Sequence, residues 1–121
     1  PSSRMKMRRP HKVPLSNCSV DILRTMGFKS GNHGYIFARN GAALSNAAMS
    51  KLLKSLVEGV TVHGFRSAFR DWAAEQTEVS TEVIEMALAH AIGNKVEAAY
   101  RRGDLMEKRR ILMEYWERYI T

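Results

Sequence analysis

The sequence holds one cysteine, Cys18, and three prolines among its 121 residues. A single thiol excludes an internal disulfide framework and fits a reducing compartment. The four histidines are scattered, and no Cys or His pair has zinc-like spacing, so no metal site is expected. No apolar run approaches the ~18 residues that a membrane-spanning helix needs. A signal-peptide pattern is missing as well, and repeats and low-complexity tracts are lacking. Negative charge is scarce in one half only. Residues 1–57 carry ten Lys and Arg against Asp21 alone, whereas residues 58–121 carry 9 basic and 11 acidic residues. An anionic partner for the first half is the natural inference, nucleic acid being the commonest.

What is present suffices for a core, since 45% of the residues are apolar and the length suits one domain. The chain opens on Pro1, and its first methionine, Met5, lies inside a basic stretch. It reads as a fragment of a longer polypeptide. The pattern predicts a mainly α fold with several helices and a small β-hairpin near the N-terminus, drawn from "RMKMRRPHKVPLS", residues 4–16. Ser16 can cap a helix to about Met26, ended by Gly27, and "YIF" suggests a short extended piece. A second helix is expected from Ser45 to about Val57, a third from near His63 to Gln76, and a fourth from Ser80 to about His90. Asn94 with Glu97, and Asp104 with Glu107, form capping-box patterns that open a short helix carrying Tyr100 and a long terminal helix. Leu105, Leu112, Trp116 and Tyr119 line one face of the latter.

Within "VTVHGFRSAFRDW", residues 60–72, helical spacing sets His63, Arg66 and Arg70 within about 60° of one another. Phe65, Phe69 and Trp72 gather on another side, to be buried. Further on, "LAHAIGNKVEAAYRR" offers His90 and, ten residues later, Tyr100. Taken singly, each has an ordinary reading: a packed tyrosine, a core histidine, a solvated cationic face, a surface lysine. Their joint order is harder to explain that way.

In that order, with Lys6 eight residues before Pro14, then His63 and Arg66, then His90, then Tyr100, the chain resembles the phage-integrase, or tyrosine recombinase, family over nearly its whole length. "MKMRRPHKVPLS" and "LAH…NKVEAAY" look most like integrases of satellite phages and genomic islands. The resemblance implies site-specific DNA recombination without metal or cofactor. Tyr100 would attack the scissile phosphorus, Lys6 would protonate the leaving 5′-oxygen, and Arg66 would clamp the non-bridging oxygens. His90 would hydrogen-bond the same phosphate, and His63 would assist proton transfer at the tyrosine. Arg4, Arg8, Arg9 and Lys12 flank Lys6 and are expected to meet the sugar-phosphate backbone; Arg70 and Arg101 read as ordinary surface or DNA-facing charges.

The resemblance further implies a homotetramer on double-stranded DNA, a bacterial cytoplasmic, nucleoid-associated location, and no membrane. Residues 1–121 would be part of a catalytic domain whose first active-site arginine lies upstream, so the chain alone is expected to be nearly inactive. The ten-residue gap from histidine to tyrosine is one longer than in the commonest members. A type IB topoisomerase shares this chemistry, and a helical DNA-binding module that only grips phosphate remains a further alternative. Related recombinases often donate their final segment to a neighbour, so both placements of the terminal helix stay open.

Overall fold

Gly27, Gly59 and the Asn40-Gly41 pair punctuate the first two-thirds of the chain, each in the left-handed region of backbone space. A computed structural model describes residues 10–27, 35–90 and 103–121. Five helices are described: α1 (Asn17–Thr25), α2 (Ala48–Leu56), α3 (Val62–Gln76), α4 (Thr81–Ala87) and α5 (Met106–Ile120). A small antiparallel sheet pairs β1 (Ala38–Arg39) with β2 (Ala42–Ala43). Among the described residues the fold is therefore mainly helical with one small two-stranded sheet, the class expected. That sheet lies at residues 38–43, whereas Pro10–Ser16, expected to supply one arm of a hairpin, form no strand. The other arm, and the short helix around Tyr100, fall outside the described residues.

The described sheet has a local cause. Asn40 and Gly41 have φ of 52° and 76°, the two positive values that a two-residue type I′ hairpin turn requires. Ala38 pairs with Ala43 and Arg39 with Ala42 across it. Asn-Gly is the strongest short-range signal of such a turn, and it marks the hairpin more clearly than the Pro-containing stretch does.

The described residues divide into two compact units, one drawn from Pro1–Ser16 with Phe69–Thr121, the other Asn17–Ala68. The first holds the core: Phe69, Trp72, Ala73, Val83, Ile84, Leu88 and Leu112, with Val79, Leu105, Met113 and Trp116 packed against them. An aromatic group fixes α5 there. The Trp116 ring lies 4.9 Å from Trp72 and 5.4 Å from Phe69 in an edge-to-face pair, and Tyr119 lies 5.4 Å from Trp72. Such pairs add about 0.5–1.5 kcal/mol each beyond the area they bury. Leu105, Leu112 and Trp116 of the terminal stripe thus pack within the chain's own unit, while Tyr119 stays 63% exposed.

The second unit contains α1, the hairpin, α2 and the start of α3, and none of its described residues is buried. Phe65, expected on the buried face, is 57% exposed, while Phe69 and Trp72 one and two turns later are buried.

Candidate functional site

The first turn of α3 is set by Thr61. Its hydroxyl accepts a hydrogen bond from the Gly64 amide at 3.0 Å, satisfying one of the donors that a helix N-terminus leaves open. Capping there starts the helix at Val62, one residue before the expected position, and places His63 in its first turn and Arg66 one turn on. The His63 side chain is exposed and Arg66 is half-buried. Three residues apart in a helix, the two are neighbours on one face. Anions are favoured at this end of a helix by the helix dipole.

His90 is placed by a different device. The fourth helix does not run to His90; it ends at Ala87 because Ala89 turns left-handed, at φ 54°. The Ala89 amide donates to Met86 O at 3.1 Å and the His90 amide to Glu85 O at 2.9 Å. This pair of bonds is the Schellman terminus, which returns the chain towards the last turn it has left. His90 therefore stands over Glu85 rather than on the Val83 and Met86 face assigned to it by helical periodicity.

The Glu85 carboxylate holds two partners. One oxygen accepts from Arg70 Nε at 2.8 Å, and the other meets the Nδ1 of His90. The hydrogen bond from His90 is the leading cause that keeps the Glu85 carboxyl below its ordinary value, with Arg70 adding to it and burial opposing. Glu85 is thus an anion at neutral pH and an acceptor only, so the proton of that contact sits on Nδ1. Arg70, read from the sequence as an ordinary surface or DNA-facing charge, is a partner of Glu85, and Glu85 itself was not singled out from the sequence. A carboxylate five residues before a histidine matches no helical face; only the reversal at Ala89 brings the two together.

Lys12 has an exposed side chain, and its backbone carbonyl accepts from the buried Arg109 guanidinium. Lys6, Arg4, Arg8, Arg9 and Tyr100 lie outside the described residues, as does Arg101. His63 and Arg66 belong to the Asn17–Ala68 unit, and Arg70, Glu85, His90 and Lys12 to the other. Each group is local to its own unit: a histidine and an arginine on one face, and a histidine braced through a carboxylate by a second arginine. Among the described residues no helix is long and apolar enough to cross a membrane.

Comparison with known proteins gives consistent likenesses. The chain is 39% identical to prophage integrase IntA of Escherichia coli K12 over 121 aligned positions, covering 96% of this chain and 29% of that protein. It is 32% identical to prophage integrase IntZ of the same organism, over 94% of this chain and 29% of that one. The integrase of enterobacteria phage P4 is 30% identical over 96% of this chain and 28% of its own length. No protein-family model matches, and no solved structure does. The chain spans less than a third of the length of these relatives. The resemblance to phage integrases read from the motifs is borne out at the level of whole-chain similarity.

Proposed function

We propose that this chain is a catalytic-domain segment of a tyrosine-recombinase integrase, which cuts and rejoins double-stranded DNA through a 3′-phosphotyrosyl intermediate. The observation that carries the reading is the similarity of nearly the entire chain to phage and prophage integrases. Lys6, His63, Arg66, His90 and Tyr100, which follow one another in that sequence order, supply its chemistry.

A phosphodiester broken without a metal requires a nucleophile, a proton acceptor, a proton donor and fixed cations around phosphorus. The Tyr100 phenolic oxygen attacks phosphorus as its proton passes to His63. The bond from phosphorus to the 5′-oxygen breaks, and that oxygen takes a proton from Lys6. Arg66 binds the non-bridging oxygens through its planar fork of donors. His90 adds a further hydrogen bond to the same phosphate. An unperturbed tyrosine is only about one part in a thousand ionised at pH 7, so the nearby cations and base are needed to activate it. Rejoining is the reverse step with the 5′-hydroxyl of another strand, and the phosphotyrosyl bond keeps the reaction independent of ATP.

Arg4, Arg8, Arg9 and Lys12 grip the backbone beside the cleavage point. The working assembly is a homotetramer on paired sites in the bacterial cytoplasm. By the resemblance, a further arginine of the phosphate clamp lies outside these 121 residues. Loss of one such donor costs about 3–4 kcal/mol, or two to three orders of magnitude in rate, so the chain alone is nearly inactive.

The test is covalent trapping on a nicked suicide DNA substrate with the full-length polypeptide. Wild type is expected to form a protein–DNA adduct resistant to denaturant. Tyr100→Phe is expected to form none while still binding DNA. Equal adduct from both proteins, or none from wild type, contradicts the reading. Efficient relaxation of plasmid with no requirement for two sites would point to topoisomerase chemistry instead.

A further inference from the structure

Glu85 is absent from the catalytic set above, yet His90 is held through it. The Schellman terminus brings together the third-last helical residue and the residue two beyond the cap, usually as an apolar pair. Here those positions are Glu85 and His90, and the pair is a carboxylate with an imidazole. The second carboxylate oxygen is taken by Arg70 Nε at 2.8 Å. The carboxylate is therefore oriented from two sides, by a cation on α3 and by the ring it receives.

We propose that Glu85, braced by Arg70, is a positioning residue for His90: its carboxylate takes the Nδ1 proton and leaves Nε2 as the ring nitrogen that meets the scissile phosphate. The inference rests on the strand-transfer reading and adds to it. A neutral imidazole can carry its one proton on either nitrogen, and the hydrogen bond made by one nitrogen decides the state of the other. With Glu85 in place the proton stays on Nδ1. A hydrogen bond from Nε2 to phosphate then demands a doubly protonated ring, so His90 works as a cation set between two anions. Charge developing on the phosphorus oxygens is stabilised best by such a fixed, charged donor.

An exposed ion pair contributes little to stability, so a stability measurement alone cannot test the role. The tautomer can. In the 15N-labelled 121-residue chain, two-bond proton–nitrogen correlation at alkaline pH is expected to show His90 protonated on Nδ1. Glu85→Ala is expected to move that proton to Nε2. Glu85→Gln, which keeps an acceptor oxygen, is expected to restore the wild-type pattern. In the full-length polypeptide, Glu85→Ala should lower the rate of covalent trapping on suicide DNA by about 10- to 100-fold, with partial rescue by Glu85→Gln. Combined with His90→Ala it should add no further loss, because Glu85 acts through that ring.

An unchanged tautomer in Glu85→Ala, or additive losses in the double variant, would overturn the inference. So would a tautomer shift with trapping undiminished. A wild-type protein that forms no adduct would sink the strand-transfer reading and this inference with it, whereas normal adduct formation by Glu85→Ala sinks the inference alone.

Discussion

The guanidinium of Arg109 donates from Nη2 to the backbone carbonyl of Lys12, tying the terminal helix to a segment 97 residues earlier. Arg109 is only 1% exposed, and its Nη1 donates to Asp104 O at 3.0 Å. Its Nε is buried without a partner, and burial pushes its pKa down, although an arginine stays protonated throughout the working range. Two bonds from a charged donor, worth about 1.5–3 kcal/mol each, are thus offset in part by desolvation. Arg109→Met keeps the bulk but strands both carbonyls, and is expected to lower stability by about 2 kcal/mol. Arg109→Lys is expected to recover little, since one ammonium does not reproduce the fork. Urea unfolding followed by tryptophan fluorescence measures this, and an unshifted midpoint would contradict it.

Ala89 lies at φ 54°, where a side chain costs roughly 1–2 kcal/mol and glycine costs nothing. Glycine gains some unfolded-state entropy, which reduces the benefit. Ala89→Gly is therefore expected to stabilise the chain by about 0.5–1 kcal/mol, raising the thermal midpoint by roughly 3 °C. Ala89→Val should do the opposite. A midpoint that falls with glycine would mean that the Schellman terminus does not form in solution.

Legibility divided along physical lines. The third and terminal helices were readable because a wide apolar stripe and polar caps agree along one stretch of chain. Asp104 does serve the start of α5, accepting from the Met106 amide at 3.1 Å. Glu107, expected to fold back in a capping box, pairs instead with Arg110 one turn on at 2.6 Å. The end of α4 was not readable, since "LAHA" offers no glycine and the left-handed residue is an alanine. Arg109 looks like any cation of "EKRR", and its burial depends on a carbonyl supplied by the far end of the chain. Glu85 escaped because its partners depend on a chain reversal and on a second helix. The motif residues stood out as a set by their order in the sequence, whereas Glu85, which meets His90, carried no such signal.

Glu85 also sets a pH dependence. Its carboxyl lies below the ordinary value of 4.5, so its contribution to folding is complete above that value and disappears as pH falls through the lowered one. Unfolding free energies of wild type and Glu85→Gln are expected to differ by a small margin near neutral pH and to converge as the pH falls through that lowered value. A difference that widens on acidification would reverse the assignment.

Trp116 tests where the terminal helix belongs. Its ring joins Phe69 and Trp72 of the same unit, although the neighbouring Tyr119 remains 63% exposed. Removing a ring packed this way costs about 3–5 kcal/mol, so Trp116→Ala is expected to unfold the chain at much lower urea. Because the contact is internal, the wild-type midpoint should be the same at low and high protein concentration. A midpoint that climbs with concentration would mean that the helix is supplied by a second copy.

By the proposed reading, Arg4, Arg8, Arg9 and Lys12 of the basic segment before α1 bear on affinity, while Lys6 among them bears on chemistry. Each phosphate neutralised by a bound cation contributes about 0.9 to the slope of log affinity against log salt. If Arg4, Arg8, Arg9 and Lys12 each meet a phosphate, changing all four to glutamine should reduce the magnitude of that slope by about 3.6. Affinity should drop for specific and unrelated DNA alike, because backbone contacts carry no sequence information. Lys12 changed alone should account for close to one unit, since its side chain is exposed while its carbonyl is held by Arg109. A quadruple variant with an unaltered slope, measured by fluorescence anisotropy at several salt concentrations, would place these cations away from the DNA and shift the burden of affinity to the helical cations.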